Sequence, residues 1–436
     1  MYIAILGRQP AIGMAELEQT FGNVSWFSDQ SAIVDAQSFN IERLGGTQKA
    51  GSIVTQLPAG DWRRASMKLV QAYTQAWADF DGKITLGISA YGFNASAREI
   101  QKTGIILKGK LKEKGTSLRL IPNTEAALNT ATSHHNKLGL SNNKVELIVV
   151  RARNGKIVIA ESIGAQNITS LARRDQERPK RDAFVGMLPP KLAQIVINLT
   201  GVEQLRNERY ATTATDASFS SPATATAVGA DSDSNEVSRR DTSQPKDLTV
   251  GHAGERLTVL DPFCGTGVIP QEVMLLGYNT YGTDLADKMI DYSRINLDWL
   301  MTVNQLKTSY KVEQGDAMDA TWQQPIDAVA CETYLGQPFS APPSPSKLTE
   351  VRGNCNNIIS AFLTNIASQL QPGTPLCVAV PAWRDGNGDF THLPLIGNLD
   401  RLGFERHQFK NVRDSELLYY REDQIVAREL LVLKKV

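Results

Sequence analysis

Cysteine and histidine are scarce in this chain of 436 residues, which has four cysteines and five histidines. The cysteines are Cys264, Cys331, Cys355 and Cys377, and none of them forms a Cys-x-x-Cys pair. This pattern predicts neither a zinc site nor a disulfide framework. The one histidine cluster, His134-His135, has no further ligand at metal-binding spacing. We therefore expect no bound metal.

Long apolar runs are also missing, and no secretory or membrane-spanning segment is recognisable. The chain begins directly with a strand-like stretch, residues 2–6. Together with the sparse cysteines, this predicts a protein of a reducing, cytoplasmic compartment with no membrane partner.

Net charge is absent too, because 46 basic residues balance 46 acidic ones, yet the distribution is uneven. Between Arg98 and Lys191, eighteen Lys and Arg stand against eight Asp and Glu. A basic middle on a neutral chain predicts a local surface for a polyanion. The alternative is a solvated lysine-rich face, which is common on small α/β domains.

The most informative segment that is present runs from residue 257 to residue 284. An apolar run, 257–260, predicts a buried strand that ends in Asp261 and a Gly-x-Gly turn, Gly265 to Gly267. A helical pattern follows, and residues 279–284 predict a second strand ending in Asp284. This order is typical of a βαβ unit with a nucleoside-sized site at its strand ends.

The turn lacks the third glycine of a dinucleotide site, since Gly267 is followed by Val268, Ile269 and Pro270. A pyrophosphate ligand is thereby disfavoured, whereas S-adenosylmethionine carries no phosphate. Asp284 has the spacing of a carboxylate that accepts ribose hydroxyls. Asp316 follows a third strand-like stretch and could accept the adenine amine. The alternative is a set of ordinary turn carboxylates in another α/β domain.

At these residues the chain resembles a known family. Asp261-Pro-Phe-Cys-Gly-Thr-Gly267 is similar to the cofactor motif of class I S-adenosylmethionine-dependent methyltransferases that modify exocyclic amines. The stretch from Tyr2 to Pro10 and the block from Arg178 to Gln194, with its Met-Leu-Pro-Pro-Lys, narrow the likeness further. They resemble tRNA guanine-N2 methyltransferases that carry an RNA-binding THUMP domain.

The resemblance implies an α/β fold with a C-terminal Rossmann-like methyltransferase domain, S-adenosylmethionine as cofactor and tRNA as partner. The expected cofactor-binding residues are Asp261, Phe263, Gly265, Gly267, Asp284, Asp316 and Ala317. The expected RNA-binding residues are Lys102, Lys108, Lys110, Lys112, Arg173, Arg174, Arg178 and Arg181. The four arginines could instead pair with nearby acids, Asp175, Glu177 and Asp182.

The chain departs from the family after its fourth strand. Amine methyltransferases usually have Asp or Asn, then Pro-Pro and an aromatic residue, whereas residues 331–338 read Cys-Glu-Thr-Tyr-Leu-Gly-Gln-Pro. We expect Glu332 to accept the amine hydrogens and Tyr334 to stack on the extruded base. The alternatives are a solvated loop acid and a buried strand-end aromatic. A further alternative is a chain that binds tRNA and cofactor without turnover.

Five segments are predicted along the chain. They are a ferredoxin-like unit at 1–60, a THUMP-like RNA-binding domain at 61–166, a linker with the first catalytic helix at 167–206, a disordered low-complexity insertion at 207–255 and the methyltransferase domain at 256–436. In the first unit, a helix over 11–21 is expected to point Glu16 and Glu18 outward. In the last, a helix is expected over 390–402.

The function that these patterns favour is methyl transfer from S-adenosylmethionine to a guanine N2 amine in tRNA, without a metal. The enzyme alternative is methylation of adenine or cytosine amines in DNA, which uses similar motifs. The non-enzyme alternative is a tRNA-binding protein with a degenerate catalytic loop.

Overall fold

The computed structural model describes residues 1–182, 188–209, 256–339 and 341–436. Residues 210–255, nearly all of the predicted low-complexity insertion, lie outside this part of the chain. So do Ala183, Gly186 and Met187 from the block that carries the family resemblance.

The N-terminal half is built around one mixed sheet of eight strands. They are β1 Tyr2–Leu6, β2 Val24–Ser28, β3 Ser31–Val34, β4 Thr47–Leu57, β5 Lys83–Tyr91, β6 Ser117–Leu120, β7 Lys144–Arg151 and β8 Ile157–Ala165. Their order is β2-β3-β1-β4-β8-β7-β5-β6. Because β4 pairs with β8 from Lys49↔Ala165 to Leu57↔Ile157, the two predicted N-terminal units share this sheet.

Five helices accompany this sheet: α1 Pro10–Phe21, α2 Trp62–Ala76, α3 Ala97–Glu113, α4 Thr130–His135 and α5 Ile168–Gln176. Local chemistry explains where the basic helix α3 begins. Ser96 accepts the backbone amide of Glu99, whose carboxylate accepts the Ser96 amide in return, so two otherwise unpaired donors are satisfied. Ile100, Leu107 and Leu111 are buried against the sheet, which leaves the lysines of α3 in solvent.

The C-terminal half is a second sheet flanked by helices. The strands are β9 Thr258–Asp261, β10 Asn279–Asp284, β11 Tyr310–Gln314, β12 Ala328–Glu332, β13 Pro375–Arg384, β14 Phe390–Thr391, β15 Phe404–Arg406, β16 Leu418–Tyr419 and β17 Val426–Lys435. The helices include α6 Pro190–Leu199, α7 Val268–Leu275, α8 Asp287–Asn304 and α9 Pro345–Ala367.

The main path of this sheet has the order β11-β10-β9-β12-β13-β17-β15. The first five strands are parallel, and β17 and β15 are antiparallel. This confirms the predicted α/β fold class, in which a Rossmann-like sheet in the C-terminal half follows an α+β region. The helix expected over 390–402 is wrong: β14 and a 3₁₀ turn, Pro394–Asn398, occupy it. Pro394 disfavours the helical conformation of the residue before it.

The two halves share a hydrophobic core in which α1 packs on α6 and α6 packs on α7. The prediction that Glu16 and Glu18 point outward is wrong, because the C-terminal half covers this face of α1. The carboxylate of Glu16 is fully buried and accepts the amides of Gly45 and Gly46, at 2.9 and 2.8 Å, and the Asn198 side chain, at 2.8 Å. Glu18 accepts the backbone amide of Lys410 at 2.6 Å.

Glu16 makes the stability of this junction depend on pH. Burial raises the pKa of Glu16 to about 7, while the hydrogen bonds from Asn198, Gly45 and Gly46 act in the opposite direction. Between the unfolded pKa of 4.5 and about 7, the folded chain therefore holds a proton that the unfolded chain has lost. The stabilisation from this proton is complete below that window and is lost as the pH rises through it.

We predict that the difference in unfolding free energy between wild type and Glu16→Gln decreases as the pH rises from about 4.5 to about 7, then levels off. The slope is at most about 1.4 kcal/mol per pH unit. Urea unfolding at a series of pH values measures it, with Glu113→Gln, an exposed carboxylate on α3, as the control. A difference that stays constant with pH contradicts the prediction.

Candidate cofactor and substrate site

The order of strands reverses at β9, which has β10 on one side and β12 on the other. In open α/β sheets, ligands bind at such a reversal, in the crevice outside the carboxyl ends of the strands. Asp261, Asp284 and Glu332 are the last residues of β9, β10 and β12, so the structure brings these three predicted site residues to that edge.

The glycine turn closes one side of the crevice. Gly265 and Gly267 have φ values of +50° and +83°, which favour glycine because a Cβ is disfavoured there. A Cβ on Gly267 would lie 3.0 Å from Ser293 Oγ on α8. The same hydroxyl donates to the Gly265 carbonyl at 2.7 Å. Helix α8 therefore packs directly against the turn and fixes its shape.

Asp284 ties this turn to β10. Its carboxylate accepts the Gly265 amide at 3.0 Å and the Ala286 amide at 2.9 Å. Burial raises the pKa of Asp284, and these two hydrogen bonds oppose the shift. The side chain is only partly buried, and a carboxylate has about four acceptor positions. Asp284 can therefore accept hydroxyl groups of a ligand in addition to the two amides.

Asp261 lies beneath the turn and is almost fully buried. It accepts the Phe263 amide at 3.1 Å. Burial is the main cause that raises its pKa, and the charges of Asp284 and Glu332 add to the shift. Phe263 packs edge-on against Phe362 of α9, with ring centroids 5.1 Å apart. These contacts connect the end of β9 to α9.

The end of β11 adds the last predicted cofactor residues. The Gly315 amide donates to the Asp284 carbonyl at 3.0 Å, which brings Asp316 beside the end of β10. Asp316 accepts the Met318 amide at 2.9 Å through one carboxylate oxygen. Ala317 is buried, and its carbonyl accepts the Asn365 side chain at 3.1 Å.

Glu332 forms an ion pair with Arg428, which was not predicted from the sequence. Its Oε1 accepts Nε of Arg428 at 2.6 Å, and the two side chains are only 15% and 10% exposed. Glu332 pairs with Ala379 of β13, and Arg428 pairs with Pro381 of the same strand, so all four side chains share one face. The guanidinium therefore reaches across β13 over a small alanine.

The positions of Glu332 and Tyr334 do not match the two structural alternatives, a solvated loop acid and a buried aromatic residue. Glu332 ends a strand and is mostly buried, so it is not a solvated loop acid. Its Oε2 has no hydrogen-bond partner among residues 1–182, 188–209, 256–339 and 341–436. Tyr334 is 44% exposed at the same edge, so it is not a buried aromatic. Their catalytic roles stay a prediction.

Asn296 of α8 connects the linker to the glycine turn and was also missed. Its side chain accepts the Lys180 amide at 2.9 Å and donates to the Lys180 and Thr266 carbonyls at 2.9 and 2.8 Å. Ser293 and Asn296 are three residues apart, and both are fully buried on one helix face. The sequence signal for them was the spacing of Ser293 and Asn296, which puts two polar side chains on the same helix face as apolar ones.

The predicted RNA-binding residues divide into exposed and buried groups. Lys102, Lys108, Lys110, Lys112, Arg173 and Arg181 are exposed. Arg174 instead donates to both carboxylate oxygens of the buried Glu272, at 2.6 and 3.1 Å, and Arg178 is 3% exposed. Arg174 and Arg178 could reach a phosphate only after rearrangement, and RNA binding by the eight residues stays a prediction.

Lys108 and Lys112 lie on one flank of α3 and line a concavity of about 450 Å³. Lys83 and Arg119, which the sequence did not single out, line the same concavity, and no acidic side chain does. Such a surface attracts a polyanion.

Two further findings concern metals and membranes. Within the described ranges, no group of three or more His, Cys, Asp or Glu side chains is placed to hold a metal ion. In the same part of the chain, none of the helices combines the length and apolarity that crossing a bilayer requires.

Comparison with known proteins adds two curated relatives, and no family model matches the chain. A tRNA (guanine(10)-N2)-dimethyltransferase of Methanothermobacter thermautotrophicus is 30% identical over 133 residues, 30% of this chain and 35% of the relative. A protein of the same name from Pyrococcus abyssi is 30% identical over 124 residues, 26% of this chain and 36% of the relative. The matches thus span about a third of the relatives' length.

Among solved structures, TrmN from Thermus thermophilus covers 100% of this chain and 99% of its own, with 14% identity and a TM-score of 0.49. At this TM-score the likeness does not establish a shared fold. The strand order and register of the two sheets define the fold.

The packing of the glycine turn can be tested by substitution. We predict that Gly267→Ala lowers the unfolding free energy by more than Gly277→Ala does. Both glycines have φ near +90°, where an alanine costs about 1–2 kcal/mol, but only Gly267 would also place its Cβ against Ser293. Thermal or urea unfolding measures both variants. Equal losses would show that Ser293 does not confine the turn.

Proposed function

We propose that this protein is an RNA methyltransferase that uses S-adenosylmethionine and methylates a guanine N2 amine in tRNA. The observation that carries the proposal is the crevice at the β9 reversal, where the glycine turn and Asp284 adjoin Glu332 and Tyr334. The two relatives with matching stretches are named for methylation of a guanine N2 amine in tRNA, which supports the same chemistry.

The residues at the crevice fit S-adenosylmethionine. Gly265 and Gly267 let the backbone approach a ligand without a Cβ between them. Asp284 would accept ribose hydroxyls and Asp316 the adenine amine, in positions at neighbouring strand ends. When bound, the cofactor supplies an electrophilic methyl group, and that transfer needs no metal.

Glu332 and Tyr334 would prepare the base. A guanine N2 amine is a weak nucleophile because its lone pair is delocalised into the ring. The free Oε2 of Glu332 would accept an amine hydrogen and so turn the lone pair toward the methyl group. The amine would form the N–C bond as the S–C bond of the methyl group breaks and S-adenosylhomocysteine leaves, and the amine would then release a proton to Glu332 or to water. Tyr334, exposed at the same edge, would stack on the extruded base.

Arg428 would let the loop at residues 331–338 position a catalytic carboxylate, although this loop lacks the usual Pro-Pro. A glutamate has one more rotatable bond than an aspartate, so an unsupported side chain would sample many positions. The charge-assisted hydrogen bond from Arg428 holds one carboxylate oxygen and leaves the other without a hydrogen-bond partner in the described part of the chain. This arrangement favours a working site over a degenerate one.

The exposed basic surface of α3 would bind tRNA in a THUMP-like manner. Lys108 and Lys112 would contact backbone phosphates together with Lys83 and Arg119. The four cysteines are buried and unpaired, which agrees with a reducing cytoplasmic compartment.

Transfer of labelled methyl from S-adenosylmethionine to total tRNA, followed by nucleoside analysis, tests the proposed activity. We expect N2-methylated guanosine from the wild type and no label in duplex DNA. Label in DNA alone would favour the DNA alternative. Tight binding of tRNA and cofactor without transfer would favour the non-catalytic alternative.

Two variants assign the roles within that assay. Asp284→Ala should weaken cofactor binding about 10- to 100-fold, because it removes a charged carboxylate that would accept hydrogen bonds from the ligand. Glu332→Gln should lower kcat about 100-fold or more with cofactor affinity kept. Glu350→Gln, an exposed carboxylate at the start of α9, is the matched control. Full activity of Glu332→Gln would remove Glu332 from the mechanism.

The basic concavity has its own test. We predict that Lys108→Glu combined with Lys112→Glu weakens tRNA binding at least tenfold and flattens its salt dependence, because phosphate contacts are lost. Cofactor affinity should not change. Lys68→Glu with Lys307→Glu, at exposed positions outside the concavity, applies the same charge change as a control. Equal losses in both double variants would indicate only a general charge effect.

A further inference from the structure

Two sequence blocks that carry the family resemblance, residues 2–10 and 178–194, lie far apart in the chain. Their segments 7–10 and 189–191 come close together in the structure. The Gly7 amide donates to the Gly46 carbonyl at 2.9 Å. The neighbouring Gly45 packs so closely on the Lys191 carbonyl that a Cβ there would lie 1.9 Å from the oxygen. The turn at 45–46 thus holds Arg8, which follows Gly7, near Lys191 at the start of α6.

A third cation joins them from the loop between β16 and β17. The Gln9 side chain donates to the Tyr420 carbonyl, which places Arg421 next to the 7–10 segment. The positive charges of Arg8 and Arg421, after burial, lower the pKa of Lys191, as expected for like charges close together. Arg8, Lys191 and Arg421 are defined here as the cation cluster.

All three side chains of the cation cluster are exposed, and none of them has a counterion in the described ranges. They come from three separate elements, so the fold itself assembles them. Three like charges held together without a partner are unfavourable, and an anion would relieve their repulsion. By contrast, Arg174 and Arg428 each have a carboxylate partner, Glu272 and Glu332.

The cluster is at the same edge as the proposed catalytic residues. Tyr419, two residues before Arg421, pairs with Arg428, whose guanidinium binds Glu332. The loop that carries Arg421 also contacts the carboxyl end of β13, where Arg384 donates to the Glu422 carbonyl at 3.1 Å. An anion held by the cluster would therefore lie beside the place where the target base is expected.

We infer that the cation cluster of Arg8, Lys191 and Arg421 binds a backbone phosphate of the RNA next to the extruded nucleotide. The inference rests on the proposed function and adds a second RNA contact, separate from the α3 concavity. Since one of its members comes from the N-terminal half and two from the C-terminal half, the site exists only when α1 is docked on α6. Phosphate contacts of this kind fix the register of a nucleic acid rather than read its sequence.

The test uses the full chain, total tRNA and labelled S-adenosylmethionine. The variants are Arg8→Gln, Lys191→Gln and Arg421→Gln. Arg401→Gln is the matched control, because Arg401 is exposed near β15, at the opposite edge of the sheet from Glu332. Each cluster variant should weaken tRNA binding about 3- to 10-fold and reduce the slope of log K against log salt by about one. Cofactor affinity and the unfolding midpoint should match the control.

The outcomes separate the inference from the proposed function. If the wild type methylates tRNA and the cluster variants behave like Arg401→Gln, the inference is overturned and the function stands. If the variants lose cofactor affinity instead, the anion is the cofactor carboxylate and the inference is again overturned. A wild type that neither binds nor methylates tRNA overturns both.

Discussion

The reversal of strand order at β9 is the constraint on which the rest of the site depends. The chain leaves β9 toward β10 on one side and leaves β12 toward β13 on the other side. A crevice is therefore left between the carboxyl ends of β9 and β12. Asp261, Asp284 and Glu332 meet there because they end consecutive or adjacent parallel strands. Three carboxylates at one edge are mutually unfavourable, and burial raises the pKa of Asp261 and Asp284. Backbone amides donate hydrogen bonds to Asp261 and Asp284, and Arg428 donates one to Glu332.

A second set of polar contacts joins the N-terminal half to this crevice. Glu16 accepts donors from both the 45–46 turn and α6, while Asn296 binds both the linker and the glycine turn. These contacts are buried and directional, so they define one arrangement of α1 relative to the C-terminal sheet. An RNA held by α3 and by the cation cluster would therefore meet the crevice in a defined register.

The sequence predicted elements whose signals are local. The glycine turn after β9 is one such signal, and Gly265 and Gly267 have φ values of +50° and +83° in the structure. The βαβ unit and its terminal carboxylates were equally clear. The sequence could not show partners that are distant along the chain. Glu16 and Glu18 looked solvent-facing, and Arg174 looked available for RNA, because Asn198, Asn411 and Glu272 are too far away in sequence.

The most direct test is a crystal structure of the full chain with S-adenosylhomocysteine, the product form of the proposed cofactor. We predict that the ligand lies in the crevice at β9, with its amino-acid end against the Gly265–Gly267 turn, its ribose on Asp284 and its adenine near Asp316. Glu332 should remain bound to Arg428, with Oε2 facing the ligand's sulfur. An empty crevice, or one that binds a nicotinamide or flavin nucleotide in preference, would contradict the account.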